Sequence, residues 1–229
     1  MLNKMGASSH LEVIISFILF SLFVLSLLFY VNPFKNTTLP DTLIENIYES
    51  FIRDNSVELT KFFLDINSPE SCMDVTLPSI FDLNDVNSRV FDSNGNPAGS
   101  SIVAGLVIDS SNNPFYVFLS SDFLPGTGCD SPSPIDCDAG ECSIGSVEKR
   151  EIVSESKVLS IVEEYKNNYE VLKTQLGIPK NVDFAIVSEG FEMEMYIPED
   201  LEVISKSYSI EVLYSTGEIL NKDFIFKIW

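Results

Sequence analysis

An unbroken run of apolar residues over 13–31 constrains this chain more than any other feature of its sequence. Its 19 residues would extend about 28 Å as a helix, at about 1.5 Å per residue. That length is typical of a helix that spans a bilayer, and it exceeds the apolar core of a secretory signal peptide. The sequence therefore predicts a transmembrane helix over 8–31 and a proline-containing linker over 32–40.

Glu12 stands at the very start of this apolar run. An unpaired carboxylate is costly in hydrocarbon, so an acidic residue at such a position indicates a function. Here it favours a helix that packs against other helices in an assembly. The alternative is an uncleaved signal anchor, in which the carboxylate reaches towards the bilayer interface.

The distribution of charge predicts the orientation of the chain. Lys4 precedes the apolar run, so this end is expected in the cytoplasm. The predicted location is the cell membrane, with a single pass and an extracellular domain over 41–229. The formal net charge of −20 repels nucleic acid, which is therefore not an expected partner. Asn36 begins the only Asn-x-Ser/Thr sequence and is a predicted glycosylation site.

Beyond the linker, the spacing of apolar residues predicts an α+β fold. Helical spacing occurs over 41–54 and again over 158–176, where it predicts one long amphipathic helix. Alternation predicts strands in much of the rest, with a buried strand over 114–120 and a hairpin turn at Asn94-Gly95. The predicted fold class is α+β, with a single N-terminal transmembrane helix followed by a mostly antiparallel sheet domain.

Four cysteines lie beyond the linker, and three of them fall in an irregular segment over 122–146. They are Cys72, Cys129, Cys137 and Cys142. An even number of cysteines outside the cell predicts two disulfides. Three pairings are possible, and the sequence does not choose among them. The segment 122–146 is thus predicted to be a loop held by disulfides.

Acidic residues cluster in the same loop. They are Asp130, Asp136, Asp138 and Glu141. Several oxygen ligands close together suit a hard cation, so the cluster suggests a calcium site. The spacing does not match an EF-hand, and the alternative is a loop whose disulfides are purely structural. No other cofactor is expected.

Histidine is nearly absent, because His10 is the only one in the chain. A Ser-His-Asp or Cys-His arrangement therefore cannot form in the domain beyond the linker. Phosphate-binding and nucleophile-elbow motifs are also missing from the sequence. The protein is accordingly not expected to be an enzyme.

The N-terminus resembles the class III signal peptide of type IV prepilins, in particular that of archaeal pilin-like proteins. A short leader with one lysine ends in Gly6 and Ala7, and an apolar helix with an early glutamate follows. The resemblance implies that a prepilin-type signal peptidase removes the leader over 1–7. Ser8 would then be the mature N-terminus, and Glu12 would stand at the fifth position.

The same resemblance implies what the protein does. In that family the glutamate offsets the new N-terminal amine of a neighbouring subunit, and the apolar helices form the core of a filament. The chain is thus expected to be a membrane-anchored structural or adhesive subunit, with other pilin-like subunits as partners. The alternative is an uncleaved single-pass anchor that carries an extracellular binding domain.

Overall fold

The computed structural model describes residues 13–24, 39–195, 197 and 201–229. The chain divides into two units, Met1–Thr42 and Leu43–Trp229. In the first unit, residues 13–24 form helix α1. The large apolar side chains of α1 are exposed, with Phe17 at 70% and Phe20 at 65% of their full accessibility.

No helix within the described ranges is long and apolar enough to cross a membrane. The described residues of α1, 13–24, account for about 18 Å of helix at about 1.5 Å per residue, against a hydrocarbon core of about 30 Å. The predicted transmembrane helix over 8–31 is therefore wrong, and so is the single-pass membrane location that was based on it. The prediction was based on hydropathy, which measures how apolar a segment is and does not by itself establish a helix that crosses a membrane. Residues 25–31 lie outside the described residues.

The second unit is built on a sheet whose described part has twelve strands. In chain order the strands are β1 (Ser56–Ile66), β2 (Met73–Thr76), β3 (Asn87–Phe91), β4 (Pro97–Ile102), β5 (Leu106–Asp109), β6 (Phe115–Ser120), β7 (Ser133–Asp136), β8 (Cys142–Ser154), β9 (Phe184–Ser188), β10 (Phe191–Met193), β11 (Ile204–Leu213) and β12 (Ile219–Ile228). The other helices are α2 (Leu39–Asn55), α3 (Glu155–Asn167) and α4 (Tyr169–Gln175).

The sheet is mixed rather than antiparallel throughout. Its strand order is β10-β9-β12-β11-β8-β1-β6-β3-β4-β5-β2-β7. Strand β8 pairs in parallel with β11, and β2 pairs in parallel with β7, while the other neighbours are antiparallel. The central strand β1 joins the two halves, because it lies between β8 and β6.

The single long helix predicted over 158–176 is wrong at its centre, where the chain forms α3 and α4. Asn168 separates them with φ −140° and ψ 45°, which is not a helical conformation. Its N–H still donates to the Glu164 carbonyl, and its own carbonyl accepts from the N–H of Val171. The apolar spacing continues across this break, so periodicity could not reveal it. The sequence offers Ser154 or Ser156 as the N-cap of this helix, and the structure shows Ser154 in that role, since its hydroxyl accepts from the Lys157 N–H.

Three apolar clusters form the core of the second unit. The largest lies between helices α2–α4 and strands β9–β12, and Phe51 of α2 meets Phe224 there at 5.5 Å between ring centroids. A second cluster lies under β1–β6 and includes the fully buried Phe62. A smaller third cluster, which contains Leu59 and Phe123, lies on the other face of β1. That face also carries the candidate site.

Candidate ligand cleft

Two rows of side chains cross strands β1, β6 and β3, and all of them except Phe63 line an open cleft. In the first row, Phe118 of β6 is opposite Lys61 on one side and Arg89 on the other. In the second row, Tyr116 lies between Phe63 and Phe91 in the same way. Because side chains alternate along a strand, residues two apart share a face, and both rows lie on the same side of the sheet. The register of three strands thus assembles the rows.

The aromatic rings of the two rows contact one another. Phe91 and Phe118 meet edge to face, with centroids 5.6 Å apart, and Phe63 and Tyr116 do so at 5.5 Å. Tyr116 keeps 41% of its accessible surface. Edge-to-face pairs stabilise a fixed arrangement of rings. The floor of the cleft is therefore an ordered aromatic surface that stays open to solvent.

The turn between β11 and β12 forms one wall of the cleft, and Leu124 forms part of the rim. The cleft has a volume of about 990 Å³. Gly217 in the turn has φ +90°, and a Cβ there would come within 3.1 Å of the Arg89 side chain. Glycine therefore suits this position for two reasons: its backbone conformation and the close approach. Leu124 remains 65% exposed at the rim.

Arg89 connects the floor to the walls through hydrogen bonds to backbone carbonyls. Its Nε donates to the Ser215 carbonyl at 3.1 Å, and its Nη1 donates to the Leu124 carbonyl at 3.1 Å. Partial burial lowers the pKa of Arg89 from its usual value, but an arginine remains charged at neutral pH. The guanidinium is thus a fixed positive charge in an apolar setting.

Lys61 supplies a second positive charge to the cleft. Its Nζ lies 5.4 Å from the centroid of the Phe118 ring, within the range of a cation–π contact. Among the described residues, neither Lys61 nor Arg89 forms an ion pair with a carboxylate. Glu218 lines the same cleft. The cleft therefore carries more positive than negative charge, although the whole chain has a net charge of −20.

The structure resolves how the predicted disulfide cysteines pair. Cys72 bonds to Cys129, and Cys137 bonds to Cys142. The expectation of two disulfides is confirmed, and one of the three possible pairings is observed. The first disulfide joins the loop over 122–146 to the start of β2, while the second closes a turn between β7 and β8.

Two of the four acidic side chains in that loop accept hydrogen bonds from backbone N–H groups. Glu141 accepts a hydrogen bond from the Asp136 N–H at 2.7 Å, and Asp136 accepts one from the Asp138 N–H at 2.9 Å. In the described part of the chain, no group of three or more His, Cys, Asp or Glu residues could hold a metal ion. The calcium prediction for Asp130, Asp136, Asp138 and Glu141 therefore gains no support from the geometry.

The remaining predicted site residues lie outside the described residues. They are Gly6, Ala7, Ser8 and Glu12 of the processing and assembly segment, and Asn36 of the glycosylation sequence. Their roles stay predictions.

A buried lysine elsewhere in the second unit has a structural explanation. Lys173 is 3% exposed, and its Nζ donates to Asp183 and to the Lys180 carbonyl, each at 2.9 Å. The Lys173 ammonium holds the pKa of Asp183 below its usual value. Burial raises the pKa of Tyr165 to about 12, and its hydroxyl donates to the Phe184 carbonyl. These polar groups satisfy one another and hold α3 and α4 against the start of β9.

The sequence did not predict this candidate cleft. The sequence predicts a buried strand over 114–120, because apolar residues occupy both faces of this segment. In the structure Val117 is fully buried, whereas Tyr116 is 41% exposed. The available signal for the cleft was a pair of aromatic residues at alternate positions of one strand, together with a lysine and an arginine on two other strands. Those strands become neighbours only in the folded sheet. No family model, curated protein or solved structure matches this chain.

Proposed function

We propose that the protein is a pilin-like structural or adhesive subunit of a type IV pilus-like assembly. In this proposal helix α1 packs against the same helix of other copies. The observation that carries the proposal is the exposure of α1, and the resemblance of residues 1–31 to type IV prepilins supports it. The proposal assigns no catalytic activity.

Helix α1 is apolar around its whole circumference. Serines at 16 and 21 are its only polar residues. Its phenylalanine side chains point in different directions and remain uncovered, with Phe17 at 70%, Phe20 at 65% and Phe23 at 62% exposure. Apolar surface exposed to water costs about 25 cal/mol per Å², and contiguous exposed patches mark interaction sites. The surface is repeated in every copy, so identical helices are suitable partners for it.

Processing would complete this assembly surface. The resemblance implies that a prepilin-type signal peptidase cuts between Ala7 and Ser8 and creates a new amine at Ser8. The Glu12 carboxylate of one subunit would then pair with the amine of its neighbour. The alternative of an uncleaved single-pass anchor is not retained, because it depends on the transmembrane helix that the described residues lack.

Replacement of Glu12 by alanine tests the proposal. The change leaves the Ser8 amine of the neighbouring subunit without its carboxylate partner among apolar helices. Loss of one partner of a buried ion pair costs about 3–5 kcal/mol. We expect filaments sheared from cells expressing E12A to contain none of the protein, at an unchanged total amount in the cells. The measurement is immunoblotting of sheared and whole-cell fractions.

The matched control is E163A, which removes an exposed glutamate from helix α3 in the second unit. This variant is expected to enter filaments at the normal yield. A normal yield of filaments from E12A would contradict the proposal, and so would complete absence of the unaltered protein from the sheared fraction.

A further inference from the structure

We propose that the cleft on strands β1, β6 and β3 binds an acidic glycan, with uronic acid carboxylates as the recognised groups. Of the proposed function, only the adhesive role bears on this inference. Binding at the cleft does not depend on the proposed assembly, because it requires neither leader removal nor contact between copies of α1.

The aromatic floor suits a sugar ring. A pyranose presents C–H groups on its faces, and these carry a slight positive charge that matches the negative face of an aromatic ring. Tyr116 and Phe118 offer such surfaces at the centre of the cleft, and Phe91 lies beside them. The exposed ring of Tyr116 and the exposed Leu124 at the rim provide apolar surface that no described residue covers. A ligand site of this kind combines apolar walls with a few polar groups that fix orientation.

The positive charges select an acidic ligand. Lys61 and Arg89 flank Phe118 in the same cross-strand row, so a sugar stacked at the centre of the row would lie between two cations. A guanidinium and an ammonium both donate strongly to a carboxylate. Seven of the twelve described lysines and arginines pair with a carboxylate, and Lys61 and Arg89 are among the five that do not. Arg89 donates hydrogen bonds to backbone carbonyls, but no described carboxylate neutralises either charge.

The backbone of the cleft disfavours an extended peptide as the ligand. Peptides that bind to sheets add a strand at an exposed edge and use main-chain hydrogen bonds. Strand β1 already pairs with β8 and β6, strand β6 with β1 and β3, and strand β3 with β6 and β4. The floor thus offers ring faces and side-chain donors but no free strand edge. These are the groups that recognise a sugar.

The net charge of the chain does not prevent this binding. At physiological salt, charges separated by more than about 8 Å are largely screened. A carboxylate inside the cleft therefore responds mainly to Lys61 and Arg89, and to the opposing charge of Glu218 at the wall. We expect binding to weaken as salt is added, because the two attractive contacts are partly exposed to solvent.

The experiment is calorimetric titration of the full-length protein with the α-1,4-linked tetramer of galacturonic acid. The galactose tetramer with the same linkage is the neutral comparison, and tetraglutamate is the peptide comparison. We expect the acidic tetrasaccharide to bind about tenfold more tightly than the galactose tetramer, since only the acidic one carries carboxylates for Lys61 and Arg89. We also expect it to bind more tightly than tetraglutamate, which carries carboxylates but has no pyranose ring to stack on the aromatic floor. Light scattering on the same samples records the oligomeric state.

Two variants locate the binding, and a third controls for loss of charge alone. K61Q is expected to weaken binding about three- to fivefold, which corresponds to one partly exposed ion pair. Y116A is expected to weaken it by a similar factor through loss of the stacking surface. K166Q removes an exposed lysine from α3 and is expected to leave binding unchanged. Thermal unfolding of each variant confirms that it is folded.

Four results would overturn the inference. Equal binding of the neutral tetrasaccharide would mean that the cations do not select the ligand. Preferential binding of tetraglutamate would assign the cleft to a peptide, and a change of oligomeric state in K61Q would assign it to a second copy of the chain. No binding of the acidic tetrasaccharide would remove the proposal. None of these results affects the expected behaviour of E12A, so the two proposals fail separately.

Discussion

Replacement of Phe62 by alanine is expected to destabilise the protein by about 3–5 kcal/mol, the usual cost of truncating a buried phenylalanine. Phe62 is 1% exposed, and its ring lies 4.5 Å from that of Phe81 in the cluster under β1–β6. Its removal would leave a cavity between the strand and that cluster. The measurement is the free energy of unfolding from urea denaturation, compared with that of the unaltered protein.

The neighbouring residue supplies the matched control. Phe63 lies on the opposite face of the same strand, is half-buried and contacts Tyr116 at the end of the cleft. Phe63→Ala is expected to cost only about 1 kcal/mol, the energy of one edge-to-face aromatic pair. Equal costs for the two substitutions would contradict the register of β1, because a shift of one residue exchanges the two faces.

Removal of the Cys72–Cys129 disulfide is expected to cost about 4 kcal/mol of stability, about twice the cost of removing Cys137–Cys142. The two bonds join cysteines 57 and 5 residues apart. A cross-link restricts the unfolded chain more when it closes a longer loop, and the chain-entropy relation gives about 4 and about 2 kcal/mol for these lengths. The measurement is urea unfolding of the two double alanine variants.

Each double variant is the control for the other, because each removes two cysteines from the same part of the unit. A larger loss from C137A/C142A than from C72A/C129A would contradict the entropic argument. Such a result would mean that the bond near the turn between β7 and β8 stabilises mainly the folded loop.

Local features of the fold could be predicted from the sequence because their causes are local. The helical spacing over 41–54 corresponds to α2, and Asn94-Gly95 forms the turn between β3 and β4, where Gly95 has φ +81°. Ser154 caps α3 with its own side chain. In each case a few neighbouring residues determine the backbone, so the sequence pattern was sufficient.

Features that depend on distant residues could not be predicted. The parallel pairing of β8 with β11 joins Val153 to Val212, and nothing near either residue indicates the other. The break at Asn168 interrupts a helix whose apolar spacing continues beyond it. The cleft depends on three strands whose order in the sheet is not their order in the chain. Its residues therefore looked like ordinary parts of separate strands.

The N-terminal error has a different origin. Hydropathy measures how apolar a segment is, and it does not by itself determine what surrounds that segment. The apolar character of 13–24 was read correctly, and its side chains are indeed exposed. The inferred transmembrane helix went beyond that observation. What the exposed surface of α1 does suggest is an apolar partner, and the proposed assembly provides one.

The most direct test of the proposed function is the mature N-terminus of the protein isolated from its native cells. Intact mass and N-terminal peptide sequencing measure it without any substitution. The account predicts a chain that begins at Ser8, with residues 1–7 removed and Glu12 at the fifth position. A chain that begins at Met1 or Leu2 would contradict it, because the amine that Glu12 is proposed to meet would never form at Ser8.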